Sequence, residues 1–351
     1  MKFRMFWTPF KKIPKECLGV DIGTSSIKIV EIRKRGKEKE LGNYGEIKIR
    51  DIYPDFKKNS VTAESEEIAK VIGAILAEAK IKTKAAVFSL PDYSSFFTTF
   101  TLPAMTREEI PEAVKFEAPI RIPLPLAKVT LDWQVVEGFE KESLPLRILL
   151  VAVPNEIVDR YREIASLAKL DLMALEAEVF GLVRTLVKTG EPAVLVDIGR
   201  ESTTCSIIDK KILKASHSFD TGGRRLTEAV SQALNLQPLE AEDLKEENGI
   251  LGDEAVKESL IPTLDLILEE IKQVCNNFLR DERTEVEKLI LTGGSALLPG
   301  LKEYCESSLN LKAEIGNPFS GIVFPSVLAK TLEKMGPIYA VSIGMALREL
   351  K

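Results

Sequence analysis

One short motif occurs twice in this chain, and that repeat constrains the fold more than any other feature. Residues 18–23 read LGVDIG and residues 193–199 read AVLVDIG, so each copy is an apolar run that ends in Asp-Ile-Gly. A second strand-like segment follows each copy. An apolar run closed by a glycine turn and then a second strand predicts a β-hairpin. Two such hairpins, one in each half of the chain, indicate an internal duplication.

Length and composition limit the class of protein. The chain has 351 residues, which predicts two or three folding units rather than one core. Apolar residues make up 45% and charged residues 29%, a balance that excludes intrinsic disorder. The net charge of −5 argues against sequence-blind binding of nucleic acid. Four scattered cysteines give no zinc or disulfide pattern and indicate a reducing compartment, and the single histidine, His217, makes histidine-dependent nucleophilic catalysis improbable.

The leader, residues 1–15, differs in composition from the rest of the chain. It carries five cations, four aromatic residues and no acid. It lacks the continuous apolar core of a signal peptide, and no apolar run elsewhere reaches the ~20 residues of a membrane span. Two interpretations stay open: an arm that packs on the body or is loose, or an arm whose aromatic residues enter an anionic membrane surface.

A separate block of predicted elements lies between the two hairpins, at residues 91–172. Its alternating segments predict strands at 96–102, 129–137 and 147–153, and its periodic segments predict helices at 106–117 and 155–168. Thr106 is the expected N-cap of the first of these helices. A helix at 64–79 precedes the block, with Ser65 as its expected N-cap. The block therefore reads as a small α+β unit, inserted or appended.

The first hairpin carries groups suited to phosphate. Gly23, Thr24, Ser25 and Ser26 form a small, hydroxyl-rich turn whose N–H and O–H groups would surround phosphate oxygens. Lys28, on the return strand, would point back at the same phosphates. Asp21, at the end of the first strand, suits a hydrated Mg²⁺. An ordinary hairpin turn would also explain this motif when it is considered alone.

Two further motifs strengthen the phosphate interpretation. Asp197 and Gly199 repeat the first motif, and two such hairpins facing each other would clamp a phosphate chain with a shared metal. A strand that runs into Gly293 and Gly294 and then a helix allows close approach of the backbone to a base or a ribose.

Together these residues resemble the actin-like ATPase superfamily, whose two phosphate motifs and adenosine motif match the three segments above. Residues 176–182 and 337–347 are similar to its two connecting helices. The opening LGVDIGTSSIKIVEI and the position of the 91–172 block resemble most closely the PilM family of type IV pilus assembly proteins, in the FtsA-like branch. The implied fold class is α/β, an actin-like, ribonuclease H-like duplicated two-domain fold with an FtsA-type 1C subdomain.

The resemblance implies subdomain boundaries. The implied parts are an N-terminal arm at 1–15; subdomain 1A at 16–90 with 173–190 and 336–351; subdomain 1C at 91–172; subdomain 2A at 191–235 and 286–335; and subdomain 2B at 236–285.

The resemblance also implies binding of ATP with Mg²⁺. Asp21 and Asp197 would hold Mg²⁺ through waters. The expected ATP-binding residues are Gly23, Thr24, Ser25, Ser26, Lys28, Gly199, Gly223, Lys245, Glu246, Gly293, Gly294, Ser295 and Leu298.

One departure from the family pattern bears on turnover. The second phosphate loop is usually rich in glycine, whereas Arg200 and Glu201 stand here. Tight closure on a γ-phosphate, and with it fast hydrolysis, is therefore in doubt, and Glu178 is the nearest candidate for a catalytic, water-activating residue. A solvated helix acid is the competing interpretation of Glu178. Whether the chain is an enzyme stays open, with slow ATP hydrolysis as the upper expectation.

The resemblance predicts an ATP-binding cytoplasmic scaffold of the type IV pilus inner-membrane assembly complex. Its implied partner is the cytoplasmic N-terminal peptide of a PilN-like inner-membrane protein, which in the family lies in a groove between the first subdomain and 1C. Other pilus components, including the assembly ATPase, are further expected partners, and self-association is open. The chain would associate with the inner membrane peripherally, through partners. The alternatives are an FtsA-like filament-forming division ATPase and a small-molecule kinase or ATPase of the same fold.

Overall fold

A computed structural model describes residues 13–52, 63–138 and 144–350. The chain divides into two compact units, which we call unit 1 (Met1–Arg184 with Val341–Lys351) and unit 2 (Thr185–Ala340). Most of the leader, residues 1–12, lies outside the described residues. No helix in the described part is long and apolar enough to span a bilayer.

Unit 1 contains two sheets. Its elements are β1 (Glu16–Ile22), β2 (Ser26–Arg35), β3 (Glu38–Lys48), α1 (Ile49–Ile52), α2 (Ser65–Glu78), β4 (Ala85–Leu90), β5 (Phe96–Leu102), α3 (Ile110–Arg121), β6 (Val129–Glu137), β7 (Leu146–Pro154), α4 (Asn155–Leu167), β8 (Asp171–Ala177) and α5 (Glu178–Leu186), which continues into unit 2. The first sheet has the order β3-β2-β1-β4-β8 and the second the order β5-β7-β6.

The first sheet combines an antiparallel and a parallel part. The predicted hairpin is formed by β1 and β2, while β4 and β8 run parallel to β1. Helices α2 and α4 pack against each other, and each precedes one of the parallel strands. In α2, Ile68, Ile72 and Ile75 recur at helical spacing and are buried. The expected cap was wrong by one residue, because Glu64 caps α2 through a capping box and Ser65 instead donates to Glu163 (2.6 Å).

The second sheet has a core of its own. Helix α3 covers one face, where Val114 packs with Phe100 and Ile148. This helix begins at Ile110 rather than at the predicted position near 106. Residues 106–109 form a turn in which both the N–H and the hydroxyl of Thr106 bond the Glu109 carboxylate, and the proline at 111 suits the first turn of a helix.

The last helix of the 91–172 block packs on the first sheet. Helix α4 contacts α2, β4 and β8. Arg160 donates to the carbonyl of Ala63 (2.8 Å), next to the start of α2. The proposed division into subdomains stays a prediction, but α4 contributes to the packing of the first sheet.

Unit 2 repeats the topology of the first sheet. Its elements are β9 (Ala193–Ile198), β10 (Thr203–Asp209), β11 (Ile212–Phe219), α6 (Gly223–Leu234), α7 (Pro238–Asn248), α8 (Glu254–Glu282), β12 (Lys288–Thr292), α9 (Leu301–Leu309), β13 (Lys312–Ile315) and α10 (Ala329–Leu347), which ends in unit 1. The order β11-β10-β9-β12-β13 matches β3-β2-β1-β4-β8 position by position. The duplication that the repeated motif predicts is therefore present in the fold. Helix α8 buries one face, including Leu260, Leu264 and Ile271, in the core of this unit.

The helices α5 and α10 carry the chain from one unit to the other and cross within unit 1. A Cβ atom placed on Gly344 would lie 2.3 Å from the carbonyl oxygen of Gly181, so the two backbones touch. Beside the crossing, Arg184 donates to both carboxylate oxygens of Glu176 (2.9 Å each) and to the carbonyl of Gly344 (2.7 Å). Arg348 donates to Glu176 as well (3.1 Å).

Gly344→Ala should destabilise the protein, because the added methyl group meets backbone rather than a movable side chain. We expect a loss of about 3 kcal/mol, measured as a shift of the urea midpoint. Gly73→Ala is the matched control: Gly73 lies in the interior of α2 with no atom within 4 Å of an added Cβ. That substitution should stabilise by about 0.5–1 kcal/mol. Equal midpoints for the two variants would contradict the close crossing.

Candidate functional site

The turn of the first hairpin is closed by its own backbone. The N–H of Gly23 donates to the carbonyl of Ser26 (3.0 Å), and the carbonyl of Ser25 accepts from the N–H of Ile49 (2.8 Å). Thr24 is partly exposed and Ser25 is exposed. The turn therefore has a fixed backbone and presents hydroxyl groups to solvent.

Asp21 and Lys28 form a buried pair beside this turn. They lie opposite each other in the β1–β2 register, with Lys28 Nζ 3.6 Å from Asp21 Oδ2. Ser89, from β4, donates to the other carboxylate oxygen (2.9 Å). The ammonium lies 3.8 Å from an ideal Cβ on Gly23, so it is next to the turn. Strand pairing thus places the predicted cation and the predicted metal-linked acid together.

Glu178 lies at the same end of the sheet, where α5 begins. Its carboxylate accepts from the N–H of Asp92 (3.1 Å), and the Asp92 carboxylate accepts from the N–H of Val179 (3.3 Å). Burial raises the pKa of Tyr161 well above its ordinary value, and the negative charges of Glu178 and Asp21 act in the same direction. Glu178 is therefore engaged in a reciprocal cap and is not simply a solvated helix acid.

The second hairpin is built as the first is. The N–H of Gly199 donates to the carbonyl of Ser202 (3.0 Å), as that of Gly23 does to Ser26. The start of α6 is bonded to this turn, because the N–H groups of Gly223 and Arg224 donate to the carbonyls of Gly199 and Arg200 (2.8 Å each).

The adenosine motif adjoins this second turn. Gly293 has φ +85°, and an added Cβ would lie 2.4 Å from Asp197 Oδ1, so position and conformation both require glycine. An added Cβ on Gly223 would meet Ser295 Oγ at 2.8 Å. Unit 2 thus brings Asp197, Gly223, Gly293 and Ser295 together around the second turn. Gly294 faces open space, with no atom within 4 Å of an added Cβ.

The remaining predicted residues of unit 2 differ in exposure. Leu298 is buried in the core, and Glu246 is exposed. Lys245 is buried beneath the start of α6, where its ammonium donates to the carbonyl of Gly223 (3.2 Å) and the hydroxyl of Thr227 (2.8 Å). It also pairs with Glu242 at 3.0 Å. Lys245 therefore supports the turn from below.

Burial and pairing shift the pKa values of both groups of this ion pair. Burial lowers the pKa of Lys245. Burial acts to raise the pKa of Glu242, but the charge of Lys245 and the hydrogen bond from Thr227 outweigh it, so the pKa of Glu242 is lowered. Sequence reasoning missed Glu242, although it stands one helical turn before Lys245.

The charged residues of the second turn form an ion-pair network with α6. Glu201 accepts from Arg224 Nε (2.6 Å), and Arg200 Nε lies 3.7 Å from the other oxygen of Glu201. The hydrogen bond to Glu201 raises the pKa of Arg224. The acid that replaces a glycine is thus held by α6 through an ion pair.

No group of three or more His, Cys, Asp or Glu side chains able to hold a metal is present within the described ranges. A hydrated Mg²⁺ needs only one or two carboxylates together with waters. Asp21 in unit 1 and Asp197 in unit 2 each place one carboxylate at a strand end, and each carboxylate by itself suits such an ion.

Glu242→Gln should destabilise the protein near neutral pH by about 3 kcal/mol, because it leaves the buried Lys245 without its counter-ion. A lowered folded pKa contributes stability above the ordinary value of 4.5, and that stability is lost as pH falls below it. The difference between wild type and variant in urea titrations should therefore shrink below pH 4.5. The exposed Glu240→Gln on the same helix is the control. A difference that stays constant with pH would contradict the ionised pair.

Comparison with known proteins shows that this chain is similar to type IV pilus assembly proteins. A sequence model of the family described as type IV pilus assembly protein PilM matches residues 19–350. The solved structure of a PilM-PilN type IV pilus biogenesis complex is 25% identical, with 97% of this chain and 100% of that chain covered and a TM-score of 0.85.

More distant relatives support the same fold. The cell division protein FtsA of Streptococcus pneumoniae serotype 2 (strain D39 / NCTC 7466) is 22% identical over 86% of this chain and 75% of that protein. MreB5 of Spiroplasma citri, in a crystal structure bound to AMPPNP, is 13% identical with 95% of each chain covered and a TM-score of 0.51. The fold is thus the predicted actin-like two-domain fold. The chain belongs to the PilM family of type IV pilus assembly proteins, in the FtsA-like branch of the actin-like ATPases.

Proposed function

We propose that this protein is an ATP-binding scaffold of the type IV pilus inner-membrane assembly complex. The observation that carries the proposal is the pair of identically closed turns, each with an aspartate at the end of the preceding strand. Glycine-lined turns of this kind offer backbone N–H groups to phosphate. The related fold of MreB5 holds AMPPNP in its crystal structure, which supports a nucleotide as the ligand.

Each unit contains residues to which we assign a role in nucleotide binding. In unit 1, Lys28 and the hydroxyls of Thr24 and Ser25 bind phosphate, while Ser26 is buried and closes the turn through its carbonyl. In unit 2, Gly199 and Gly223 donate their N–H groups within the protein and, lacking side chains, let the backbone come close to the nucleotide. Gly293, Gly294 and Ser295 receive the base and ribose, with Leu298 as the packed support of that turn. Lys245 fixes the start of α6 through its hydrogen bond to the carbonyl of Gly223, and the exposed Glu246 follows it on α7. Asp21 and Asp197 hold Mg²⁺ through waters, and the ion would neutralise phosphate charge.

Binding rather than rapid turnover is the role we propose. Glu178, the candidate for activating water, already accepts a hydrogen bond from the Asp92 backbone. The second turn is tied to α6 by two backbone bonds and by the Glu201–Arg224 pair, so it has little freedom to close further on a γ-phosphate.

Lys28→Met should weaken ATP binding at least tenfold in calorimetric titration, because it removes a phosphate partner while keeping the side-chain volume. Lys214→Met is the matched control. Lys214 is also buried on a hairpin strand and lies 3.8 Å from Asp209 Oδ2, in unit 2. Both variants should lose stability, but only the first should lose ATP affinity. An unchanged affinity in Lys28→Met would remove the phosphate assignment.

The second part of the proposal concerns the partner. The cytoplasmic N-terminal peptide of a PilN-like inner-membrane protein would dock beside the second sheet of unit 1. Strand β5 is an edge strand, and its outer side pairs with no other strand of the described part of the chain. Phe116 (75% exposed) and Ile120 (69% exposed) follow each other along the outer face of α3. An edge strand and nearby apolar side chains suit an extended peptide held by main-chain pairing and side-chain anchors.

Replacing both Phe116 and Ile120 by serine should weaken capture of that peptide at least tenfold, about 1.4 kcal/mol. Fluorescence anisotropy with a synthetic N-terminal peptide of the PilN-like protein measures the effect. Val327→Ser is the control, since Val327 is even more exposed (84%) but lies in unit 2. Wild-type affinity in the double variant would place the anchors elsewhere. Retained ATP binding in the same variant would separate this result from loss of fold.

The location follows from the partner. We propose a cytoplasmic protein held at the inner membrane through the PilN-like tail, in contact with other pilus components that include the assembly ATPase.

A further inference from the structure

Unit 1 has a strongly basic end. Four segments meet there, and we call them together the basic rim: residues 13–16, 33–40, 78–84 and 168–171. They contain ten cations and five acids, in a chain whose net charge is −5. The cations are Lys15, Arg33, Lys34, Arg35, Lys37, Lys39, Lys80, Lys82, Lys84 and Lys169.

Strand pairing brings these segments together at one end of the first sheet. The N–H of Lys34 donates to the carbonyl of Lys15 (2.7 Å), and Lys34 lies opposite Lys39. The N–H of Asp171 donates to the carbonyl of Lys84 (2.8 Å). This is the end where the parallel strands begin, whereas the Asp21 turn lies where they finish. The rim is thus remote from the proposed nucleotide loop of the same unit.

The lysines account for the excess charge of the rim. Ion pairs there use the two arginines: Arg33 with Glu16 (3.7 Å) and the buried Glu31 (2.6 Å), and Arg35 with Glu40 (2.7 Å). Across the described ranges, no ion pair involves a lysine of the rim. Lys15, Lys37, Lys80, Lys82, Lys84 and Lys169 are exposed.

Two of these lysines occupy positions that disfavour them. Helices α2 and α4 both end at the rim, and each is followed by a lysine with left-handed backbone: Lys80 at φ 53° and Lys169 at φ 55°. Glycine or asparagine is usual at this position, because the Cβ atom of most other residues is strained by left-handed backbone. In unit 2 the ends of α6 and α9 use Asn235 and Asn310 instead. The end of α8 in unit 2 carries Arg283 with the same left-handed backbone (φ 56°), so the rim is distinguished by the clustering of its cations and not by this conformation alone.

We propose that the basic rim binds directly to the surface of an anionic phospholipid membrane. Ile13 (61% exposed) and Leu167 (43% exposed) add apolar side chains beside the lysines. Clustered lysines attract anionic headgroups, and apolar side chains beside them enter the interface, a combination that fits a lipid surface better than a nucleic acid.

This contact goes beyond the proposed scaffold role, because it involves neither nucleotide nor peptide. Membrane attachment by one weak signal is reversible, and two signals together give stable attachment. The rim would be the second signal beside a docked membrane-protein tail.

The test is sedimentation of the full chain with phosphatidylcholine vesicles with and without phosphatidylglycerol. Wild type should bind the anionic vesicles, lose binding in high salt, and remain in the supernatant with phosphatidylcholine alone. Lys80→Gly with Lys169→Gly should lower partitioning about 25-fold, from about fivefold per lysine. Glycine suits the left-handed conformation, so this variant should fold and melt no lower than wild type.

A matched control exists in unit 2. Lys210 (φ 51°) and Lys211 (φ 62°) form the β10–β11 turn, and their double change to glycine removes the same charge at the same kind of backbone position. That variant should bind vesicles as wild type does. Equal loss in both double variants would mean a non-specific charge effect, and no loss in the rim variant would overturn the proposal.

Two soluble competitors identify the source of the anion. Glycerol phosphate should not displace the protein from vesicles, because the rim recognises a surface of many charges. Single-stranded DNA that binds the wild-type chain as tightly as the vesicles do, and displaces it, would assign the rim to nucleic acid and contradict the membrane proposal.

Discussion

The buried carboxylate of Glu176 fixes the place where helices α5 and α10 cross, and the rest of the structure depends on that crossing. Glu176 is the last residue but one of the parallel strand β8, and it accepts hydrogen bonds from Arg184 of α5 and from Arg348, which follows α10. These two helices carry the chain between the units. A buried acid with two guanidinium partners is satisfied on both oxygens, whereas removal of either partner would leave charge in a low-dielectric interior. The glycine contact beside it lets the two helices approach closely enough for that network to form.

Much of the fold was predictable because its signals are local. The alternation of residues 96–102 and 129–137 predicted β5 and β6 with their observed bounds, and the repeated Asp-Ile-Gly predicted both hairpins. Helix starts were less predictable, since Glu109 closes a turn before α3 and the capping box of α2 uses Glu64. The short strand β13 was missed, because four residues carry too little periodicity.

The candidate site was predictable where one strand pair builds it and was missed where distant segments meet. The register of β1 and β2 alone brings Lys28 to Asp21, so the spacing of seven residues was sufficient. Ser89 and Asp92 come from the end of a different strand, and Glu242 from a helix whose packing no local pattern reveals. The arginine and glutamate that replace glycines in the second turn can be read from the sequence, but only the structure pairs that glutamate with Arg224.

The two hairpins differ at the residue that faces the aspartate across the strand pair, and that difference changes the local charge of each turn. In the first, Asp21 faces the ammonium of Lys28, so the pair is nearly neutral. In the second, Asp197 faces Thr204, a hydroxyl in place of an ammonium. A duplication starts from two equal turns. Exchanging this one residue gives equivalent places in the two halves unequal local charge, with an ammonium beside the aspartate in one half and a hydroxyl in the other.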